Sequence, residues 1–313
     1  SNQSIAMGFR SNASGTFLGG NIQPSIAIGA GADARGNNTI SIGTVANNAA
    51  SYAVALGNES NVNNGADYGL AVGYGSSVSN QQGIAIGTNT KATASLAMAI
   101  GNGAKASGGN AISVGRDTSA SGGDAVSIGT SAQATGSDSL ALGKNAKAKN
   151  GDTIAIGQDA EASLLNAVAL GKTSKATGAS ATALGPQSTA SATFATAIGM
   201  RSVANQEYAI AIGGGSEATV ARGVALGTYS KADTASGASG YDANANRTNK
   251  YAGLTGNTLT STWGAVSIGD GTNTRQMTGL AAGTKDTDAV NVAQLKSVNL
   301  AFTGDNSSSG DVN

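Results

Sequence analysis

A glycine recurs every fourteen residues from Gly87 to Gly227, through Gly101, Gly115, Gly129, Gly143, Gly157, Gly171, Gly185, Gly199 and Gly213. A register held over ten consecutive intervals marks a repeat protein, in which each block is one structural unit stacked on the last. A solenoid grows by adding coils, so a length of 313 residues sets no domain count. Function in such a stack belongs to a surface.

The block from Gly101 to Gly115 contains two segments of period two. Counting the glycine as position zero, the fifth position is alanine in every block from Ala92 and Ala106 to Ala218 and Ala232. The third is always small, as in Thr90, Ala104, Thr118 and Ala132, while the fourth and sixth are mostly polar, as in Lys91, Lys105, Lys147, Glu161, Lys175, Glu217 and Lys231. Alternation puts alanine inside and the charges in water. In the second segment, positions eleven and thirteen carry large aliphatics and positions ten and twelve mostly small residues. Fourteen residues accommodate two short strands and two tight turns, with glycine at a turn that requires positive φ. The expected fold is all-β: a narrow, two-sided parallel β-roll with 14-residue coils. At roughly 4.8 Å per coil, about fifteen coils make a rod on the order of 70 Å long.

Two orientations of the second strand compete. With the aliphatics inward, a monomer stands alone under an alanine and serine surface. With the small residues inward, a ladder of Ile, Val and Leu lies outside. Roughly 1.5–3 kcal/mol per buried aliphatic side chain is then forfeited unless that sheet associates. The facing alanines suit a thin interior and favour the second arrangement. It assigns Ile112, Val114, Val126, Ile128, Leu140, Leu142, Ile154, Ile156, Val168, Leu170, Ile210 and Ile212 to an oligomer core.

Composition narrows the function. There are no cysteines and no histidines, which removes thiol chemistry, disulfides, most zinc sites and the commonest general base. Net charge is zero and no basic patch stands out, so nucleic-acid binding through phosphate neutralisation is not expected. No apolar run reaches the length of a membrane helix, so no membrane contact is expected of these residues. Ser1 opens a repeat-like segment without a signal-peptide pattern, and the chain reads as an excised piece. No metal, cofactor or catalytic residue is expected.

The repeat is irregular before Gly87. Gly57 to Gly73 spans sixteen residues and Gly8 to Gly29 twenty-one, which predicts outward loops around Asn61–Asp67 and Ser14–Pro24. After Ala232 comes a Gly-, Asn- and Thr-rich stretch with the single tryptophan, Trp263, and then a strand-like unit at Ala265–Gly269. Further on, Asp286 or Asp288 is the expected cap of a short helix with Val292 and Leu295 on one face.

The segments Ser25–Gly29, Gly83–Gly87 and Thr153–Gly157, each ending Ile-Ala-Ile-Gly, resemble head repeats of YadA-like trimeric autotransporter adhesins. Thr274–Leu295, containing Asp-Ala-Val-Asn-Val-Ala-Gln-Leu, looks like the family's neck, which joins the head to a coiled-coil stalk. The resemblance implies a left-handed roll, a homotrimer, display on a Gram-negative surface with an outer-membrane anchor elsewhere in the protein, and an adhesive role. The partners implied are host extracellular-matrix or cell-surface proteins, or other bacterial cells in autoaggregation and biofilm. The insertions depart from the regular pattern and leave the ligand open. The boundaries expected are head repeats over 1–233, an irregular insertion and last head strand over 234–269, a neck over 270–288, the start of a coiled-coil stalk over 289–299, and a tail or further module over 300–313. Trp263 is expected to pack the head against the neck.

Other readings are weaker. Gly171-Lys172-Thr173 ends like a phosphate loop, but Asn166 stands where its first glycine belongs. An ice-binding solenoid needs a regular threonine rank, which is missing. A structural spacer that only projects a distal module remains the alternative to an adhesive head. The tyrosines Tyr52, Tyr68, Tyr74, Tyr208, Tyr229, Tyr241 and Tyr251 read as isolated surface or packing residues.

Overall fold

The computed structural model describes residues 3–14, 17–18, 21–241 and 254–303. Two parallel sheets run the length of the head. One has 17 strands, mostly three residues long, and the other 16 strands of two residues each. Every coil but the last, which supplies only Val266–Ser267 to the larger sheet, contributes one strand to each, and successive coils pair in register, as in Ile154↔Val168, Ala155↔Ala169 and Ile156↔Leu170. The stack is closed by backbone bonds between coils, such as Ile154 N–H to Ala167 O at 3.0 Å and Lys147 N–H to Ala160 O at 2.9 Å.

The interior is four small residues per coil. In the coil beginning at Gly157 these are Ala160, Ala162, Ala167 and Ala169, all 0% exposed. Nearly the whole buried apolar core is alanine, and the sheets sit so close that no aliphatic larger than valine is fully buried among the described residues. Val62 and Val78 stand where other coils have alanine. Gly69 and Gly83 face them, and a Cβ added to Gly83 would lie 2.7 Å from Val78 Cγ1. Volume added on one strand is removed from the other, as close packing requires. Buried hydroxyls are mostly satisfied locally, with Ser127 Oγ left unpartnered: Ser174, Ser188 and Ser202 donate to the carbonyls of Gly171, Gly185 and Gly199 at 2.8–2.9 Å.

The aliphatics therefore point outward. From Ile26 onward each three-residue strand buries its middle residue and leaves the two flanking side chains partly covered or exposed, as with Ile112, Ser113 and Val114, while the terminal strand Ile5–Met7 is exposed throughout. The arrangement with small residues inside is the one the chain adopts.

Three expectations change. Asn61–Val62 is a strand of the two-residue sheet, paired with Asn47–Asn48 and Ser77–Val78, so the additional residues of that coil begin at Asn63. The longer insertion contains an antiparallel pair, Phe17–Leu18 with Asn21–Ile22. The helix, α1, spans Val292–Thr303 and not 289–299, and neither Asp286 nor Asp288 caps it. Asn291 does: its Oδ1 accepts from the Gln294 N–H at 2.9 Å, while Gln294 Oε1 accepts from the Asn291 N–H at 3.2 Å. That is a reciprocal capping box one turn downstream of the aspartates. Asp288 instead accepts from the backbone N–H groups of Thr284 and Lys285, closing a turn in the neck.

Candidate interaction surfaces

The outer side of the three-residue sheet is a pair of aliphatic columns. Ile112, Val126, Leu140, Ile154 and Val168 form one in unbroken register, and Val114, Ile128, Leu142, Ile156 and Leu170 the other. Thr182 and Thr196 interrupt the first column before Ile210 resumes it, whereas Leu184 and Ile198 carry the second through to Ile212. Ile128, Leu142, Leu170, Leu184 and Ile212 are 36–40% exposed in the single chain, and the other named residues of the columns are half-buried. Neighbouring coils cover part of each side chain, and the outer part of each meets solvent. Val292 and Leu295 of α1 are exposed as well, at 68% and 64%.

One corner of the roll carries a column that sequence reasoning missed. Nine residues past each ladder glycine the chain takes a left-handed turn, with φ between 52° and 59° for residues from Tyr52 and Leu96 to Tyr208 and Arg222. Residues at this position stack from coil to coil. Tyr52 and Tyr68 lie face to face with centroids 5.2 Å apart, and Phe194 and Tyr208 do the same at 4.9 Å. The Arg222 guanidinium lies 5.3 Å from the Tyr208 ring and 5.5 Å from that of Trp263, a double cation–π contact. These tyrosines are ladder members and not isolated. Trp263 stands beside Arg222 at the head's corner instead of between head and neck. The signal was present in the even spacing of Tyr52, Phe194 and Tyr208 from their glycines. Tyr229 packs over Gly215, where an added Cβ would meet its ring at 2.6 Å. Tyr251 lies outside the described residues.

The end of the roll is joined to the segment that follows it by Arg275. Val266–Ser267 pairs directly with Val224–Ala225 and supplies the last strand of the larger sheet. The Arg275 guanidinium then donates to Ile268 O at 2.5 Å, Thr228 O at 2.6 Å and Ser230 Oγ at 3.0 Å. It occupies orphan acceptors where the next coil would otherwise stack. Nearby, backbone N–H groups of Asn273 and Thr272, with the Asn273 side chain, hold the Asp270 carboxyl below its ordinary pKa.

Among the described residues no three His, Cys, Asp or Glu side chains gather where they would hold a metal ion. Gly171-Lys172-Thr173 lies in an ordinary inter-coil turn with Gly171 at φ 136°. No helix among the described residues is long and apolar enough to cross a membrane.

A stacked roll with flat, chemically distinct faces defines a surface-recognition scaffold. The sequence model described as "YadA head domain repeat (2 copies)" matches residues 1–17, 23–46, 49–76, 65–90, 92–118, 120–146, 148–174, 176–202 and 204–230, and "Coiled stalk of trimeric autotransporter adhesin" matches 276–313. The chain belongs to the trimeric autotransporter adhesins with YadA-type heads. It is 30% identical to the crystallised collagen-binding domain of the Yersinia adhesin YadA, over 72% of this chain and 89% of that one, with a TM-score of 0.33. No curated protein matches it.

Proposed function

We propose that the chain is the adhesive head and neck of a homotrimer displayed on a Gram-negative cell surface and anchored in the outer membrane by other parts of the protein. The carrying observation is the outward aliphatic ladder. With 40% or less of each assigned residue still open, closing the sheet against two further copies gains roughly 0.5–1 kcal/mol per residue over many residues. Ile112, Val114, Val126, Ile128, Leu140, Leu142, Ile154, Ile156, Val168, Leu170, Ile210 and Ile212 are the residues assigned to that contact. Val292 and Leu295 begin the stalk's own apolar seam. The proposed organisation is head over 1–233, insertion and last strand over 234–269, neck over 270–288, and stalk from 289, extended through the helix to Thr303.

The role proposed is attachment to host extracellular matrix or cells, or to neighbouring bacterial cells in autoaggregation and biofilm. Three copies of each contact per molecule, repeated over the cell, turn weak contacts into firm attachment. The collagen-binding named for the YadA domain makes collagen the first ligand to try. Deletion of residues 1–233 from the surface-displayed protein is the test. Loss of attachment to collagen or cell layers with display retained is the expected result. Unchanged attachment overturns the adhesive role and leaves a spacer that projects a distal module.

A further inference from the structure

The side of the roll opposite the aliphatic ladder is also specialised. The two-residue strands face outward through positions four and six, and between residues 91 and 177 all of these are polar: Lys, Glu, Gln, Ser or Thr. In the same stretch every lysine and arginine lies on this polar sheet or on the glycine turn that leads into it. Asp124, Asp138 and Asp152 occupy the far corner. The cross-section is thus electrically polarised although the chain is neutral overall.

Within the polar sheet the charges are unevenly compensated. Lys147, Glu161 and Lys175 alternate in register, and Lys149 bonds Glu161 at 2.5 Å. Lys91 and Lys105 are paired directly on adjacent strands with no acid between them. Both are exposed, and neither has an ion-pair partner among the described residues. At a coil spacing of about 4.8 Å their separation is shorter than the roughly 8 Å screening length of physiological salt, so they repel in the free protein.

A shallow groove of about 520 Å³ runs beside this pair, with Asn89, Asn102 and Asp117 on its other wall. The space over Gly103 is taken by the Asp117 carboxylate, whose Oδ1 would lie 2.5 Å from an added Cβ and which Arg116 engages weakly at 3.8 Å. Through Gln133 the groove continues into a second segment of about 290 Å³ lined by Asn145, Lys147, Asp159 and Glu161. The whole channel lies parallel to the rod axis and repeats its donors and acceptors once per coil.

The geometry points to an anionic polysaccharide at the Lys91–Lys105 end of this channel, where two cations face the single carboxylate of Asp117, with its sulfate or carboxylate groups on the two lysines; the second segment, with Asp159 and Glu161 against Lys147, takes only neutral hydroxyls of the chain. Two unpaired cations in register call for a polyanion. Amides and hydroxyls repeated along an axial groove suit a chain of sugars. The absence of any aromatic or aliphatic anchor among these strands' outward positions disfavours a protein partner, whose binding energy concentrates in such anchors. The inference deepens the adhesive reading and rests on it in one respect: with the aliphatic sheet turned inward in a trimer, the polar sheet of each copy faces out.

The test is binding of the purified chain to immobilised heparin, with neutral dextran and phosphatidylserine vesicles as comparisons. The wild-type chain is expected to bind heparin, to release it with added salt, and to ignore dextran. K91Q/K105Q is expected to lose at least tenfold in affinity with its melting temperature unchanged. K285Q/K296Q, which removes the same charge from the neck and stalk, keeps wild-type affinity, and S119K, which extends the lysine rank by one coil, gains. Equal losses in the two double variants, no response to S119K, or binding to vesicles but not heparin each overturn the proposal. If heparin binding is absent while displayed protein still attaches cells to collagen, the glycan site alone falls; if both are absent, the adhesive reading falls with it.

Discussion

Gly157 meets two constraints at once. Its φ is 128°, a region essentially closed to side chains, and a Cβ there would lie 2.6 Å from Gly171 O in the next coil. Gly109 has neither constraint, with nothing within 4 Å of an added Cβ. G157A is therefore expected to cost about 1–3 kcal/mol from backbone strain alone, with steric displacement added, while G109A stays within about 0.5 kcal/mol. Thermal unfolding followed by circular dichroism checks the pair, and similar melting of G157A and wild type would contradict the stacking geometry. The need for glycine at this turn was legible from its spacing. The left-handed residues two and nine positions later were not, because Val45, Tyr52, Leu96 and Phe194 occupy a conformation their side chains disfavour. The stack imposes it, and the frequent Asn and Asp at these positions, such as Asn145 and Asp138, were the only local sign.

At the scale of elements, both strands of each coil could be read from alternation alone, but the orientation of the aliphatic strand needed the interior volume. Four small residues fill the space between the sheets, so isoleucine has no room inside. I156K places an ammonium group within the outward column between Leu142 and Leu170. Abolition of trimers without unfolding of the single roll is expected, read by sedimentation and circular dichroism; a stable trimeric variant would sink the interface assignment. The helix boundary was misplaced because three acids and amides near it each look like caps, and only the spacing of Asn291 to Gln294 closes the reciprocal bond. N291A should cost about 1 kcal/mol of local helix stability, seen as faster amide exchange in the first turn of α1. Asp288 behaves differently. Backbone N–H groups of Thr284 and Lys285 hold its carboxyl below the ordinary aspartate range. Its contribution is complete above the unfolded value and lost as pH falls through the lower folded one. The neck turn should persist at neutral pH and loosen only below about pH 4, and D288N should remove that acid dependence. Exchange rates of the Thr284 and Lys285 amides, followed across roughly pH 2–5, report it.

For the whole molecule, the roll is a thin plate with one apolar and one polar face, joined to the segment that follows it by the Arg275 guanidinium. The apolar face was anticipated from the repeat, because a single fourteen-residue pattern fixes both of its columns. The aromatic corner and the Arg275 junction were not, since each depends on residues brought together by stacking or by the pairing of Val266–Ser267 with Val224–Ala225. A plate of this kind leaves its apolar face uncovered, and the proposed attachment depends on its assembly. The decisive measurement is the solution mass of the chain by light scattering over a dilution series. A constant mass three times that of the 30.1 kDa chain is the predicted result. A monodisperse monomer at every concentration would contradict it and remove both the aliphatic interface and the multivalent attachment built on it.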